Sequence, residues 1–290
     1  MVDLKNDNLD EMVLLKAMIK GGAALVPGGG IIGGIVDALW PSKDDSMKVW
    51  NHLSAYAQAM CHDMIDKYVL TAGVQKELEG LQSDLDIYNH STGSQKANQL
   101  DTLPLLVANR APQFFNKDKP RLTLPWFVPM GSIHLAVLNE QAFRWSIVKG
   151  SPDDNHLQHC RDLHDAAERY LNALVIMKND CLKYRLDCVE EFDRKEIGLE
   201  EGYTLWHTRV RDVFPNETWE ITLNSSESQA DLDNQRDAAM AGRRSDVLPS
   251  YQESVEKLCG PADEWPAFQS AADKEMADDL IRRTTIDIPV

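Results

Sequence analysis

The chain has 290 residues, of which 43% are hydrophobic and 26% are charged, and its formal net charge is -16 at pH 7. This length is sufficient to bury one large core or two small ones, and the composition argues against disorder throughout. Nucleic acids and anionic lipids offer no counter-charge to an acidic surface. We therefore expect a globular protein that has no nucleic-acid partner.

Apolar residues recur every three or four positions along most of the chain, which is typical of amphipathic helices. The predicted helices, in chain order, cover residues 8–25, 44–68, 69–88, 102–115, 129–149, 153–192 and 199–214. A polar loop is expected at 89–95, and Pro129 is expected in the first turn of the fifth helix. Residues 219–223 alternate as in a short strand. The sequence thus predicts an all-α fold, a seven-helix bundle.

One segment differs from the rest because it carries almost no charge. It covers residues 124–145 and reads LPWFVPMGSIHLAVLNEQAFRW. A resident transmembrane helix needs about 20 apolar residues, and here Asn139, Glu140 and Gln141 interrupt the run. We interpret it as a central apolar helix wrapped by amphipathic helices, and a segment built to leave water is the alternative. In the first interpretation, His134 is a neutral side chain that is hydrogen-bonded inside the bundle.

No catalytic or metal-binding pattern emerges. The glycine cluster at 28–34 lacks the Lys and Ser/Thr pair of a phosphate-binding loop, which favours a tight turn, with a membrane-active role for 31–39 as a minor alternative. The spacing of His156, His159 and His164 is more typical of a solvated helix face than of a metal site. We therefore expect no enzyme activity, no cofactor and no metal. The cysteines have no CxxC spacing and are expected to be free buried thiols: Cys61, Cys160, Cys181, Cys188 and Cys259.

The two ends of the chain are polar. The first twelve residues, MVDLKNDNLDEM, do not form a conventional signal peptide, so we expect a soluble protein that is released by another route, with its compartment unknown. The C-terminal extension is predicted to be helical around 246–258 and 262–283. Arg243 and Arg244 lie in the small polar stretch AAMAGRRSD, where a flexible loop and a proteolytic site are expected.

Several short motifs follow one another in a distinctive order between about residues 15 and 226. They are the Gly-rich turn that ends in Leu39, Trp40 and Pro41, the LEGL sequence at 78–81, the triplet Ile133, His134 and Leu135, and the triplet Phe214, Pro215 and Asn216. Together and in this order they resemble the N-terminal helical domain of the three-domain insecticidal crystal delta-endotoxins. The likeness assigns residues 1–226 to that domain and leaves 227–290 as a helical C-terminal extension.

The resemblance implies a pore-forming, insecticidal toxin that inserts the hairpin of its fourth and fifth helices into a target-cell membrane. It also raises a protein receptor and a membrane-bound oligomer as possible partners. The residues it assigns to the inserting hairpin are Leu105, Leu106, Val107, Phe114, Phe115, Trp126, Phe127, Ile133, His134, Leu135, Val137 and Leu138. The hairpin tip is assigned to Lys117, Asp118, Lys119 and Arg121.

One departure from the resemblance keeps a second function open. In the delta-endotoxins two β-rich receptor-binding domains follow the helical domain, whereas here 64 residues follow Ser226. The alternative is a soluble, non-catalytic interaction protein that retains the bundle without those domains, and whose acidic surface meets a basic partner.

Overall fold

The computed structural model describes residues 9–23, 31–41, 47–61, 72–115, 120–151, 154–200, 203–214, 218–225 and 228–286. Its helices are α1 (Asp10–Ala23), α2 (Ile31–Leu39), α3 (Lys48–Cys61), α4 (Ala72–His90), α5 (Gly93–Arg110), α6 (Leu124–Lys149), α7 (His156–Asp187), α8 (Gln229–Cys259) and α9 (Trp265–Ile286). Its strands are β1 (Val189–Glu200), β2 (Tyr203–Asp212) and β3 (Glu220–Ser225). Short 3-10 turns occur at Ala111–Phe114, Pro120–Leu122 and Gly260–Glu264. The fold is predominantly all-α, as predicted, with a small sheet added.

The central helix of the bundle is α6. Every residue from Leu124 to Ala142 is buried, and helices α1, α2, α3, α5, α7, α8 and α9 all contact α6. Helix α4 reaches it through the Tyr88 hydroxyl. The helix ends at Gly150, which adopts the left-handed conformation that favours glycine. The prediction of a central apolar helix enclosed by others is therefore confirmed.

A three-stranded antiparallel sheet replaces the predicted seventh helix. Strands β1, β2 and β3 lie in that order, and α8 contacts all three. Thr208 and Val210 are fully buried, whereas Arg209 and Arg211 between and beside them are partly or fully exposed. This alternation suits a strand with one covered face. The helix predicted at 199–214 is therefore wrong, whereas the strand predicted at 219–223 is confirmed as β3.

Several other boundaries of helices and loops differ from the predicted ones. Only Ser91 and Thr92 separate α4 from α5, so the polar loop predicted at 89–95 is wrong, and Gly93 makes the turn with a φ of 55°. The predicted fourth helix is the second half of α5 plus a 3-10 turn. Pro129 lies inside α6, and Pro125 occupies its first turn instead. The predicted sixth helix ends at Asp187 because the chain then enters β1.

The C-terminal helices α8 and α9 belong to the same core as the bundle. Trp265, Phe268 and Ala272 of α9 are buried in one cluster with α6. The flexible loop predicted at Arg243 and Arg244 is wrong, because both residues lie within α8. Arg243 Nε donates a hydrogen bond to Asp212 at 2.9 Å, and Arg244 donates to the carbonyls of Leu186 at 3.1 Å and Val189 at 3.2 Å.

The predictions for the glycine cluster and for the cysteines have different outcomes. Gly33 and Gly34 lie in α2 rather than in the predicted tight turn, and residues 28–30 lie outside the described residues. The free thiols are confirmed for four cysteines, which are Cys160, Cys181, Cys188 and Cys259, all buried. The side chain of Cys61 lies outside the described part of the chain.

Candidate membrane-active helix

Helix α6 is helical despite two prolines. Pro125 in the first turn costs nothing, since its missing N–H would have no partner there. Pro129 lies one turn further along and removes one backbone donor from the helix. Ser132 Oγ donates to the Val128 carbonyl at 2.8 Å, so this buried hydroxyl is satisfied within the helix. The other residues of 124–138 are apolar except His134, which gives the helix no polar face in this half.

Aromatic rings enclose the first half of α6. The Phe127 ring lies 5.5 Å from the Tyr170 ring of α7 and 6.1 Å from the Trp265 ring of α9, measured between centroids. Phe115 packs against Phe127 at 5.9 Å. These edge-on and tilted arrangements are the favoured ones for aromatic pairs. The apolar half is therefore sealed from water by side chains that come from three separate segments.

Side-chain hydrogen bonds also tie α6 to its neighbours. They come from five surrounding helices: Trp126 Nε1 to Ser54 Oγ of α3 at 3.2 Å, Tyr88 OH of α4 to Glu140 Oε1 at 3.0 Å, Gln141 Nε2 to the Leu100 carbonyl of α5 at 3.4 Å, His134 Nδ1 with Tyr170 OH of α7 at 2.7 Å, and Trp265 Nε1 of α9 to Ser132 Oγ at 3.1 Å. Each such bond contributes about 1 kcal/mol net. Packing against apolar side chains supplies the larger share of the attachment.

His134 is a buried core histidine. Its burial, and to a lesser extent the positive charge of Arg169, lower its pKa to about 4, because a charged imidazole loses its hydration there. The same burial raises the pKa of its partner, the Tyr170 phenol, above the ordinary value. The prediction of a hydrogen-bonded His134 inside the bundle, on the central helix, is therefore confirmed, and the lowered pKa favours the neutral form that was predicted.

Glu140 places a carboxylate in the second half of α6. The residue is 1% exposed and accepts hydrogen bonds at Oε1 from Tyr88 and from Arg144 Nη1, at 2.8 Å for the latter. Its Oε2 has no hydrogen-bond partner among the described residues, and neither has Asn139 Oδ1. Burial and the Glu140 charge raise the pKa of the Tyr88 phenol, which therefore stays a donor. The buried polar groups in this half of α6 therefore have fewer hydrogen-bond partners among the described residues than buried polar groups usually have.

The predicted hairpin residues divide into two groups. Leu105 and Leu106 on α5 are exposed to solvent, at 64% for Leu105, and Phe115 is partly buried. The remaining members are buried: Val107, Phe114, Trp126, Phe127, Ile133, His134, Leu135, Val137 and Leu138. The structure thus brings most of the predicted hairpin into the core and leaves one edge of α5 facing water.

The predicted tip is described only at Arg121. Lys117, Asp118 and Lys119 lie outside the described residues. The backbone N–H of Arg121 donates to Asp180 of α7 at 3.0 Å, and its guanidinium donates to the same carboxylate at 3.1 Å. The guanidinium also lies 4.6 Å from the Tyr184 ring centroid. This end of α6 is therefore held against α7.

The sequence did not identify the side chains that hold α6 in place. Tyr88 and Tyr170 lie within the predicted helices 69–88 and 153–192, and Trp265 lies within the predicted extension, but no sequence pattern assigns them a role. For Trp265 one signal was available, since a large aromatic residue in a polar, Ala-rich segment indicates burial. Nothing in the sequence paired it with Gly131 of α6, against which the Trp265 ring packs.

The described residues contain neither a metal cluster nor a helix suited to span a membrane. No group of three or more His, Cys, Asp or Glu side chains in these residues is arranged to hold a metal ion. None of the helices, over the residues described, combines the length with the low polarity of a membrane span.

Comparison with known proteins gives local similarities. No known family profile matches the chain. It is 26% identical over 157 residues to the pesticidal crystal protein Cry1Ja of Bacillus thuringiensis, which covers 48% of this chain and 13% of that protein. It is 33% identical over 103 residues to the GLIPR1-like protein 1 of Mus musculus, which covers 34% of this chain and 42% of that protein. The chain spans less than half the length of these curated relatives. The helical fold and the first similarity are compatible with a delta-endotoxin N-terminal helical domain.

Proposed function

We propose that this chain is a pore-forming, toxin-like protein without catalytic activity, and that the hairpin of α5 and α6 leaves the bundle and enters a target membrane. The observation that carries the proposal is the burial of α6 on all sides from Leu124 to Ala142. The similarity to a pesticidal crystal protein supports it.

The physical argument compares two environments for one helix. A helix without a polar face must be enclosed by other helices in water, but lipid can replace that enclosure because the helix satisfies its own backbone hydrogen bonds. The amphipathic helices around α6 other than α5 keep one polar face in water in either state. Exchange of protein for lipid is therefore possible for α6 and costly for these helices, and α5 enters with α6 only if its polar face stays in contact with water in the pore.

The polar groups of α6 determine how far it enters. Residues 124–138 form an apolar stretch of about 22 Å at 1.5 Å per residue, shorter than the hydrocarbon thickness of about 30 Å. Glu140 and Arg144 follow directly and form an ion pair at 2.8 Å. A charge at the bilayer centre costs about 3 kcal/mol, so the inserted helix places this pair near a membrane surface.

Dye release from neutral phosphatidylcholine vesicles tests the proposal, since an acidic protein is repelled by anionic lipid. The informative variant is Leu105→Asp, because this hairpin residue is 64% exposed, so we expect the substitution to leave the fold intact. Its matched control is Val175→Asp on α7, where the side chain is 58% exposed but lies outside the hairpin. We expect Leu105→Asp to slow leakage about tenfold or more, consistent with a charge penalty of about 3 kcal/mol that is partly relieved by snorkelling, and Val175→Asp to leak like the parent.

The outcomes separate the two functions predicted from the sequence. Equal leakage from both variants would show that another element enters the membrane. If the parent protein releases no dye at pH 5 or pH 8, the pore proposal fails and the non-catalytic interaction protein becomes the better description.

A further inference from the structure

The indole of Trp265 fits against a bare stretch of α6. A Cβ atom placed on Gly131 would lie 2.9 Å from both Cζ2 and Cη2 of Trp265, closer than real Cβ contacts allow. The ring is fully buried, and its Nε1 donates to Ser132 Oγ at 3.1 Å. Glycine at this position therefore lets α9 approach α6 more closely than any other residue would permit.

The rest of residues 260–286 is attached by other buried apolar side chains, which include Phe268 and Ala272, and by several polar contacts. Asp263 accepts from Lys16 Nζ at 2.7 Å, Gln269 Nε2 lies 3.1 Å from His164, and Glu275 lies 3.2 Å from His156 Nε2. These contacts lie near the surface, where ion pairs contribute little. The buried anchors, Trp265 first among them, therefore carry most of the attachment.

We propose that residues 260–286, the C-terminal clasp, hold α6 inside the bundle and must leave before α6 can. This inference rests on the proposed function and adds its regulation. The clasp covers the apolar half of α6 at Gly131 and Ser132, so a helix moving outward meets the Trp265 ring. Among the described residues the clasp pairs with no strand, so its separation leaves the sheet intact.

Two variants open the clasp from opposite sides. Gly131→Ala adds the methyl group that displaces the indole, and Trp265→Phe removes the hydrogen bond to Ser132 and part of the ring. The control for the first is Gly242→Ala, which makes the same change inside α8 where nothing described lies within 4 Å of the new methyl group. The control for the second is Val210→Ala, a buried truncation in the sheet. Circular dichroism establishes that each variant is folded.

Two measurements are made on the full chain: dye release from phosphatidylcholine vesicles and amide hydrogen exchange of α6. We expect Gly131→Ala and Trp265→Phe each to raise both rates about fivefold or more, the factor that corresponds to one buried hydrogen bond. Gly242→Ala and Val210→Ala should leave α6 exchange and leakage at the parent rates.

The two readouts distinguish the clasp from the pore. Faster α6 exchange with no leakage from any variant would support the clasp and reject the pore. Leakage that is equal in the parent and both clasp variants, with unchanged α6 exchange, would overturn the clasp and leave the pore intact. A gain from Gly131→Ala alone would also overturn it, because the effect would then arise within α6.

Discussion

Asp212 and Glu140 are both buried carboxylates, but their surroundings differ. Asp212 Oδ1 accepts from Arg185 at 2.9 Å and from the Phe214 N–H at 3.1 Å, and its Oδ2 accepts from Arg185 at 2.7 Å and Arg243 at 2.9 Å. Glu140 receives both of its bonds on one oxygen, and the other has no partner among the described residues. Asp212 joins α7, β2 and α8, whereas Glu140 joins α6 only to α4 and to its own next turn.

The difference shows where the molecule resists change. A buried charge is tolerated when its lone pairs are satisfied, and breaking such a pair is costly because the remaining charge stays buried. The hydrogen bonds and ion pairs of Asp212 therefore fix the sheet to α7 and α8, because loss of either arginine would leave buried charge incompletely paired. Helix α6 is held by apolar packing and single hydrogen bonds, which can be exchanged for lipid. The proposed function requires that α6 can leave the bundle while the sheet stays attached to α7 and α8.

The largest expected effect comes from breaking the satisfied site. Arg185→Met removes two hydrogen bonds and leaves Asp212 with one cation, so we expect the free energy of unfolding to fall by about 4 kcal/mol. Urea denaturation measures the loss. The control is Arg211→Met, whose pair with Glu190 is exposed and should cost less than about 1 kcal/mol. Equal losses in the two variants would refute the comparison.

Low pH should destabilise the surroundings of α6 through His134. Its folded pKa of about 4 lies below its ordinary value of 6.5, so between these values the unfolded chain binds a proton that the folded chain does not. Stability is therefore lost as the pH falls from 6.5 to 4, by about 3 kcal/mol at 1.36 kcal/mol per pH unit. Urea denaturation of His134→Gln at pH 7 and pH 4 should show a pH dependence smaller by this amount. An unchanged dependence would mean that His134 is not the responsible group.

Asp212 responds at a lower pH. Burial raises its pKa, but the hydrogen bonds from Arg185, the Phe214 N–H and Arg243 outweigh burial and lower the pKa below 3.8. A carboxylate of this kind stabilises the fold above its unfolded pKa, and that stability is lost only as the pH falls through the folded value. Mild acid should therefore loosen the environment of α6 while the sheet stays attached. Pulse-labelling hydrogen exchange at pH 5 would show the difference between α6 and β2.

A smaller loss is expected at the incompletely bonded site. Arg144→Met leaves Glu140 with Tyr88 alone, and we expect a cost of about 2 kcal/mol, which is less than at Arg185 because Arg144 is partly exposed and removes one bond. The double variant with Glu140→Leu removes the charge as well and should recover most of that loss in urea denaturation. Failure of the double variant to recover would show that the pair is needed for packing rather than for charge balance.

The smallest effect should come from a single neutral bond. Ser54→Ala leaves the Trp126 Nε1 donor without its partner, and we expect a loss of about 1 kcal/mol in the same assay. Ser146→Ala, an exposed position on α6, should be neutral within error. A larger loss at Ser146 than at Ser54 would contradict the assignment of hydrogen bonds around α6.

The sequence predicted the central helix because its signal is local. Residues 124–138 are apolar apart from Ser132 and His134, and a helix without a polar face must be enclosed by other helices in water. The prediction of a helix at 199–214 was wrong. Thr208 and Val210 alternate with charged neighbours there, as in a strand, but the same residues also allow a helical interpretation. The prediction at Arg243 was also wrong, because the partner, Asp212, is distant in the chain. Charge pairs of this kind depend on the tertiary fold and leave no periodic pattern.

Gly131 and Trp265 also constrain how this chain can diverge. A side chain at the first position displaces the ring, and a smaller ring at the second leaves a cavity beside the central helix, so neither can change freely alone. Homologous chains that keep a tryptophan at the second position should keep glycine at the first, and those that lose one should have replaced both. Evolution would then record the contact between α6 and α9 as paired substitutions at two positions far apart in the chain.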